Sequence, residues 1–298
     1  MNILRIVKKV IKGFLPHGII VIRDLYRDII AANSIRLKPR KLLRFDIHLA
    51  DHCNLKCAGC EHFSPLAEEK FLDINVYEQD CIRLNKLTGG SIEDISLCGG
   101  EPLLHPQIID FMILTRKYFP NGMIRIFTNG LLLAQQPEIF WETCKENDIA
   151  IYITVYPVKI NYFYVKEKAD AYGIKFVFWG GDPINEKTNW RKLKIDLKGK
   201  HNPHISNFLC YSSNYCFQLV EGKLYKCWRI AYINYFNQTF GKELKTSDDD
   251  YVDIYKTDDI NTILDKLRKP AQFCRYCDMV HTEDVEWQRS KKEISEWI

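Results

Sequence analysis

The sequence predicts an α/β fold with a parallel sheet and helices packed outside it. Three observations carry that prediction. Strand and helix patterns alternate from Leu42 to Trp179. The polar and cysteine-bearing motifs of that stretch each follow a strand pattern, at the end where parallel α/β folds bind ligands. The chain has 298 residues and a 46% apolar fraction, enough for one large domain and a smaller one.

The first forty residues stand apart. Ile3, Ile6, Val7, Val10, Ile11 and Phe14 recur at helical spacing, with Arg5, Lys8, Lys9 and Lys12 between them. Pro16 and Gly18 interrupt, and a second helical run carries Ile19, Ile22, Leu25, Tyr26, Ile29 and Ile30. Two helices packed on the domain are the plainer expectation. The sharper one is a basic amphipathic element whose residues 1–35 touch an anionic membrane surface. Residues 1–44 hold eleven Lys/Arg against two Asp/Glu, a net +9, and the rest holds 31 against 36, a net −5. That split argues against nucleic-acid binding by the main body. Met1 to Leu15 lacks the continuous apolar segment of a secretory signal, and no run of eighteen apolar residues is present. A cytoplasmic location is expected, peripheral at the inner membrane face on the sharper reading, with thiols kept reduced. The basic linker Arg36–Lys41, broken by Pro39, divides residues 1–40 from a core at 41–205 and an auxiliary domain at 206–298.

Within the core, Phe45–Ala50 alternates apolar and polar residues and reads as the first strand. A helix follows over Ile74–Leu87, then a strand over Ile92–Cys98 and a helix from Pro106 to Tyr118. Met123–Thr128 is the third strand, Pro137–Glu146 a helix, Ile149–Val155 the fourth strand, Tyr162–Ala171 a helix and Ile174–Trp179 the fifth strand. Leu193–Leu197 is the expected sixth.

The first strand runs into Asp51-His-Cys-Asn-Leu-Lys-Cys-Ala-Gly-Cys60, a Cys-x3-Cys-x2-Cys pattern. Three clustered thiols indicate a metal site. Cys53, Cys57 and Cys60 could close a zinc shell with a remote ligand such as His62. They could equally hold three corners of a 4Fe–4S cube and leave the fourth iron open. The second strand runs into Gly99-Gly100-Glu101-Pro102. Paired glycines admit a ligand close to the backbone, and Glu101 can engage an ammonium.

These two motifs, in this order, resemble those of the radical S-adenosylmethionine (radical SAM) superfamily over roughly residues 42 to 180. The resemblance implies a partial (β/α)6 TIM-like barrel. It also implies that Cys53, Cys57 and Cys60 hold a 4Fe–4S cluster whose open iron binds the amine and carboxylate of SAM. Reductive cleavage then gives a 5′-deoxyadenosyl radical, with an external reductant such as flavodoxin or ferredoxin supplying the electron. Many members carry an aromatic residue before the third cysteine, where this chain has Gly59, and Phe63 is the expected substitute for adenine contacts. Thr128, Asn129 and Thr154 at strand ends are expected SAM contacts, against a plain role in turns. Cys81, Cys98 and Cys144 read as core, with Cys98 notable for abutting Gly99.

After Lys198 a loop carrying His201 and His204 is expected, and then a second cysteine set. Cys216 to Cys227 reads as a hairpin turning at Glu221-Gly222, and Cys274-Arg-Tyr-Cys277 ends a helix over Ile260–Lys269. Four of these cysteines can close a zinc site. Behind a radical SAM core the layout resembles the SPASM and Twitch auxiliary-cluster domains, most of all the single-cluster type of 2-deoxy-scyllo-inosamine dehydrogenase-like members. That implies a second 4Fe–4S cluster on Cys227, Cys274 and Cys277, with Cys210 or Cys216 as fourth ligand.

The expected function is oxidation of a carbinol in a small sugar, cyclitol or nucleotide sugar, with the second cluster accepting the leftover electron. His201, His204 and Arg229 are candidate bases. An epimerase would instead return a hydrogen atom from Cys98, Cys210 or Cys216. A peptide-modifying enzyme and a metal-binding scaffold complete the alternatives, and the scaffold requires Gly99–Pro102 to be coincidence.

Overall fold

The structure, a computed structural model, describes residues 42, 44–179 and 189–298. The helices expected before residue 40, and the membrane contact of residues 1–35, lie outside them. Among the described residues no helix is long and apolar enough to cross a membrane.

Five strands follow in order: β1 (Arg44–Ala50), β2 (Asp94–Gly99), β3 (Met123–Thr128), β4 (Ile149–Thr154) and β5 (Phe176–Trp179). Each neighbouring pair is parallel. The intervening helices are α1 (Ile74–Thr88), α2 (Ile108–Tyr118), α3 (Glu138–Glu146) and α4 (Tyr162–Ala171). Local chemistry sets their ends. Asp73 caps α1 by accepting from the backbone N–H groups of Asn75 and Val76, and Gly89 closes it in the left-handed conformation.

The sixth parallel strand is not Leu193–Leu197. That stretch follows β6 (Asn189–Lys192), which pairs antiparallel with β10 (Glu283–Glu286) in a separate ribbon. The place beside β1 goes to β7 (Gln218–Val220), parallel to it. β7 turns back through Glu221 and Gly222, at φ 46° and 76°, into β8 (Lys223–Tyr225), which pairs with β9 (Tyr251–Asp253). The sheet order is β5-β4-β3-β2-β1-β7-β8-β9. It has the partial-barrel order expected of an α/β fold and runs on across residue 205.

Alternation along the strands separates the two faces. Phe45, Ile47 and Leu49 of β1, Ile95 and Leu97 of β2, Ile124 and Ile126 of β3, and Ile149, Ile151 and Ile153 of β4 pack into the main core with the helices. The opposite face of β1–β3 carries Arg44, Asp46, His48, Ser96, Cys98, Arg125 and Phe127. Burying so many polar groups requires partners. Arg44 Nε donates to Asp46 at 3.0 Å, Arg44 Nη2 to Ser96 Oγ at 3.3 Å, and Gln218 to Asp46 at 3.3 Å. Arg125 pairs with Asp94 and lies over the Phe127 and Tyr152 rings. One face of the sheet is therefore polar along β1–β3, and the other packs into the core.

A second apolar cluster centres on Phe63, Ile230, Ile233, Phe236, Phe273 and Trp297. It forms under the helix α7 (Trp228–Phe240), which Gly241 ends. The expected loop at His201–His204 includes the start of a helix, α5 (Pro203–Leu209), because Asn202 caps it and Pro203 suits its first turn. A short α6 (Ser212–Tyr215) precedes β7, and α8 spans Ile260–Arg268.

Candidate functional site

Cys53, Cys57 and Cys60 line a cavity of about 410 Å³ against the polar face of the sheet. Gly99, Gly100, Thr128, Asn129 and Thr154 share its wall, and Arg44, Asp46 and Ser96 also line it. Burial pushes the Cys53 thiol up to about 11 and Cys57 up to about 12, so the bare thiols keep their protons. Metal binding there would release them. No group of three or more His, Cys, Asp or Glu among the described residues could hold a single metal ion. Three thiols on one cavity wall can serve three corners of an iron–sulfur cube or, with a fourth ligand, a tetrahedral zinc.

The Gly99-Gly100 pair does more than admit a ligand. Gly99 has φ +147°, and a Cβ there would sit 2.3 Å from Ala50 O. At Gly100 a Cβ would sit 2.1 Å from His52 O. The glycines thus let this loop press against the start of the cysteine loop, tied by Gly100 N–H to Ala50 O (2.8 Å) and Glu101 N–H to His52 O (3.1 Å).

Glu101 and Pro102 are buried behind the cavity wall. The Glu101 carboxylate accepts from Thr128 Oγ1 (2.7 Å) and from the backbone N–H groups of Asn129 (2.9 Å) and Leu103 (3.1 Å). It braces the ends of β2 and β3. Burial raises its pKa from 4.5 to about 7 against those three bonds. Its folded pKa is therefore above its unfolded one. The penalty is absent below pH 4.5, where both states are protonated, and complete above pH 7, where the fold must hold a buried anion. Stability should fall across that window by on the order of 3 kcal/mol from this group. Denaturant unfolding of wild type and Glu101→Gln at pH 4.5 and pH 8 checks this: the wild-type loss should exceed that of the variant. Equal slopes would show Glu101 to be ionised throughout.

Several expected residues sit elsewhere. Phe63 is fully buried against Phe236 and Trp297, so it makes no wall for adenine. Its φ of +56° turns the chain so that the ring enters the second core. His204 is exposed on α5, and His201 faces Asp196 at 3.8 Å; neither lines the cavity. Cys216 parts company with Cys227 and lines the main cavity near Cys98, Arg44 and Asp46.

Sequence reasoning missed a buried chain of polar groups. His48 Nδ1 lies 3.1 Å from Asp51, and His48 Nε2 lies 2.6 Å from His62 Nδ1. His62 lines the main cavity, while His48 and Asp51 line a smaller one of about 140 Å³ with Lys70. Burial holds His62 well below the ordinary histidine range, so it is neutral. The polar half of the β1 alternation was the available signal for His48. An adjoining groove of about 560 Å³ is walled by Tyr156, Trp179, Trp190, Trp228 and Trp287, and these aromatics had no local signature.

The second cysteine set gathers around a small cavity of about 20 Å³ lined by Cys210, Cys227, Cys274 and Cys277. Arg229 is buried beside them. Its Nη2 donates to Leu193 O (2.6 Å) and to Glu61 (3.2 Å), while Nε and Nη1 are buried without a hydrogen-bond partner. Burial pushes the Cys277 thiol up to about 11, and the guanidinium pulls against it. Two buried guanidinium N–H groups beside four thiols fit an anionic, sulfur-rich group. They do not fit a base, and Arg229 does not line the main cavity. Glu61, next to Cys60, also accepts from Trp228 Nε1 at 2.9 Å. One ion pair thus joins the two cysteine sets.

No protein-family model matches the chain. Among curated proteins, the GTP 3′,8-cyclase of Lactiplantibacillus plantarum is 23% identical over 210 residues, 64% of this chain and 58% of the relative. The GTP 3′,8-cyclase of Chlorobaculum tepidum is 33% identical over 90 residues, 30% of this chain and 26% of the relative. The chain thus spans less than two thirds of these relatives. Among solved structures, BtrN in complex with AdoMet and 2-DOIA shares the fold, with a TM-score of 0.50, 16% identity and coverage of 80% of this chain and 93% of that one. The Cys-x3-Cys-x2-Cys loop docked on the Gly-Gly-Glu-Pro loop at adjacent strand ends thus carries the motif pair of the radical SAM resemblance, in a fold shared with BtrN.

Proposed function

We propose that this protein is a radical SAM oxidoreductase that oxidises a carbinol of a small polar substrate of the sugar, cyclitol or nucleotide-sugar class. One observation carries the reading: two thiol sets, one along a substrate-sized cavity and one around a buried guanidinium, joined by the Glu61–Arg229 pair. Cys53, Cys57 and Cys60 would hold the first 4Fe–4S cluster, and Cys210, Cys227, Cys274 and Cys277 the second. When bound, these groups and SAM would supply the redox chemistry: one electron in from a flavodoxin- or ferredoxin-like reductant for SAM cleavage to methionine, one carbinol hydrogen atom taken up in 5′-deoxyadenosine, and one electron out through the second cluster, with the hydroxyl proton lost to solvent.

The chain's own residues orient the reactants. Gly99, Gly100, Thr128, Asn129 and Thr154 line the wall beside the three cysteines and would hold SAM. Arg44, Asp46 and Ser96 offer donors and acceptors for substrate hydroxyls. The aromatic walls of the adjoining groove suit a flat or ring-shaped ligand portion.

Anaerobic turnover of cyclitols and nucleotide sugars deuterated at the carbinol carbon tests this. Deuterium in 5′-deoxyadenosine together with a ketone product is expected. A second reading has its own support, since Cys98 and Cys216 both line the cavity as possible hydrogen-atom donors. An inverted alcohol carrying solvent hydrogen, with no ketone, would favour that epimerase and sink the oxidoreductase.

A further inference from the structure

The segment from Glu283 to Ile298 lies along the cysteine loop as a strap. Ala58 N–H donates to Gln288 O (2.9 Å) and Ser290 N–H to Lys56 O (2.8 Å), on either side of an antiparallel bridge between Cys57 and Arg289. Trp297 Nε1 donates to Cys60 O at 2.9 Å. Gly59 makes room for it: at φ +64°, a Cβ there would stand 2.8 Å from Glu296 O. The strap's most pointed contact is between side chains. The Trp287 indole N–H donates to Cys57 Sγ at 3.2 Å. The indole is held edge-on to Tyr156, with centroids 6.2 Å apart, and Tyr156 stacks on Trp190 at 5.0 Å.

We propose that Trp287 is a positioning residue that raises the reduction potential of the first cluster through its N–H bond to Cys57, with the strap fixing the indole in place. The assignment rests on the cluster proposed at Cys53, Cys57 and Cys60. Its physical basis is charge. An electron added to an iron–sulfur cluster is shared with its ligand sulfurs, and a donor hydrogen bond to such a sulfur stabilises the reduced, more negative form. Most of the cysteine loop's contacts with the strap run through backbone groups. The indole is the strap's side-chain donor to a ligand sulfur among the described residues. The tight fit at Gly59 also gives a physical reason for glycine at that position.

The test uses the full chain, reconstituted anaerobically, with the first cluster identified by the change in its electron paramagnetic resonance on adding SAM. Trp287→Phe keeps the ring and removes the N–H. The expected result is a lower midpoint potential for the SAM-responsive cluster at unchanged iron content. In wild type carrying 15N at the tryptophan indole nitrogens, hyperfine spectroscopy should find an indole nitrogen coupled to that cluster, and the variant should lack it, while the exchangeable protons that Leu55 N–H and Asn129 place on Cys53 Sγ remain in both. Gly59→Ala, which lifts the strap and leaves Trp287 in the sequence, should lower the potential in the same direction. An unchanged potential in Trp287→Phe overturns the assignment. So does a wild-type, SAM-responsive cluster with no indole-nitrogen coupling, a measurement that needs no variant to fold. A wild-type protein without any SAM-responsive cluster would instead overturn the proposed function beneath it.

Discussion

Changing Cys53, Cys57 and Cys60 together to alanine is expected to abolish SAM cleavage and to halve the iron of the reconstituted chain, from about eight to about four. The effect should be all or none because the three thiols share one cavity wall and no other cysteine trio reaches it in the same way. Cys98 and Cys216 line the cavity too, but next to Asp46 and Arg44 rather than on the cysteine loop. The loop is also anchored from outside, by the Gly99-Gly100 docking and by the strap, so the triple variant should remain folded. Iron analysis and 5′-deoxyadenosine formation with dithionite measure the two halves of the prediction. A variant that still forms 5′-deoxyadenosine would show that SAM is cleaved elsewhere.

The second large effect concerns Cys274 and Cys277. Replacing both with alanine should leave hydrogen abstraction in place and remove most oxidised product, so that deuterium still reaches 5′-deoxyadenosine while the ketone falls at least tenfold relative to it. Abstraction needs only the first cluster and bound SAM. Oxidation needs an acceptor for the last electron. The two cysteines lie in the turn Gln272–Tyr276 and just after it, with Cys277 N–H bonded to Cys274 O at 3.1 Å and Cys277 O taken by Ser206. Circular dichroism and retention of the first cluster separate lost electron transfer from lost folding. A folded double variant that makes ketone in the wild-type ratio would make the second cluster structural and remove the main support for oxidation.

Much of this architecture was legible in the chain. The Phe45, Ile47, Leu49 alternation and its counterparts in β2 to β4 gave strands, and the helices between them matched their periodicities to within two residues. What escaped was of two kinds. Trp228–Phe240 buries Arg229 beside Ile230, Tyr232, Ile233 and Phe236 and carries Trp228, Tyr235 and Phe240 off that face, so its apolar residues make no clean stripe. The strap, the stacked aromatics and the seating of Phe63 depend on partners far away in sequence, which leave no local pattern. The pairing of β7 with β1 is of the same sort. It moved Cys216 into the main cavity, and spacing between cysteines could not have revealed that.

The strap also fixes a schedule. Trp287 meets Cys57 across 230 residues of chain, and Trp297 meets Cys60 across 237. On the ribosome, the cysteine loop is made early and its cover is made more than two hundred residues later. At roughly 5–20 residues per second the interval is on the order of ten seconds or more. Through that time the loop's thiols lack the indole donor, the antiparallel bridge and the buried setting that the finished fold provides. Contacts of such long range also form late in folding itself. Iron delivered before the strap arrives would meet an open loop, and iron delivered after it would have to pass a closed one.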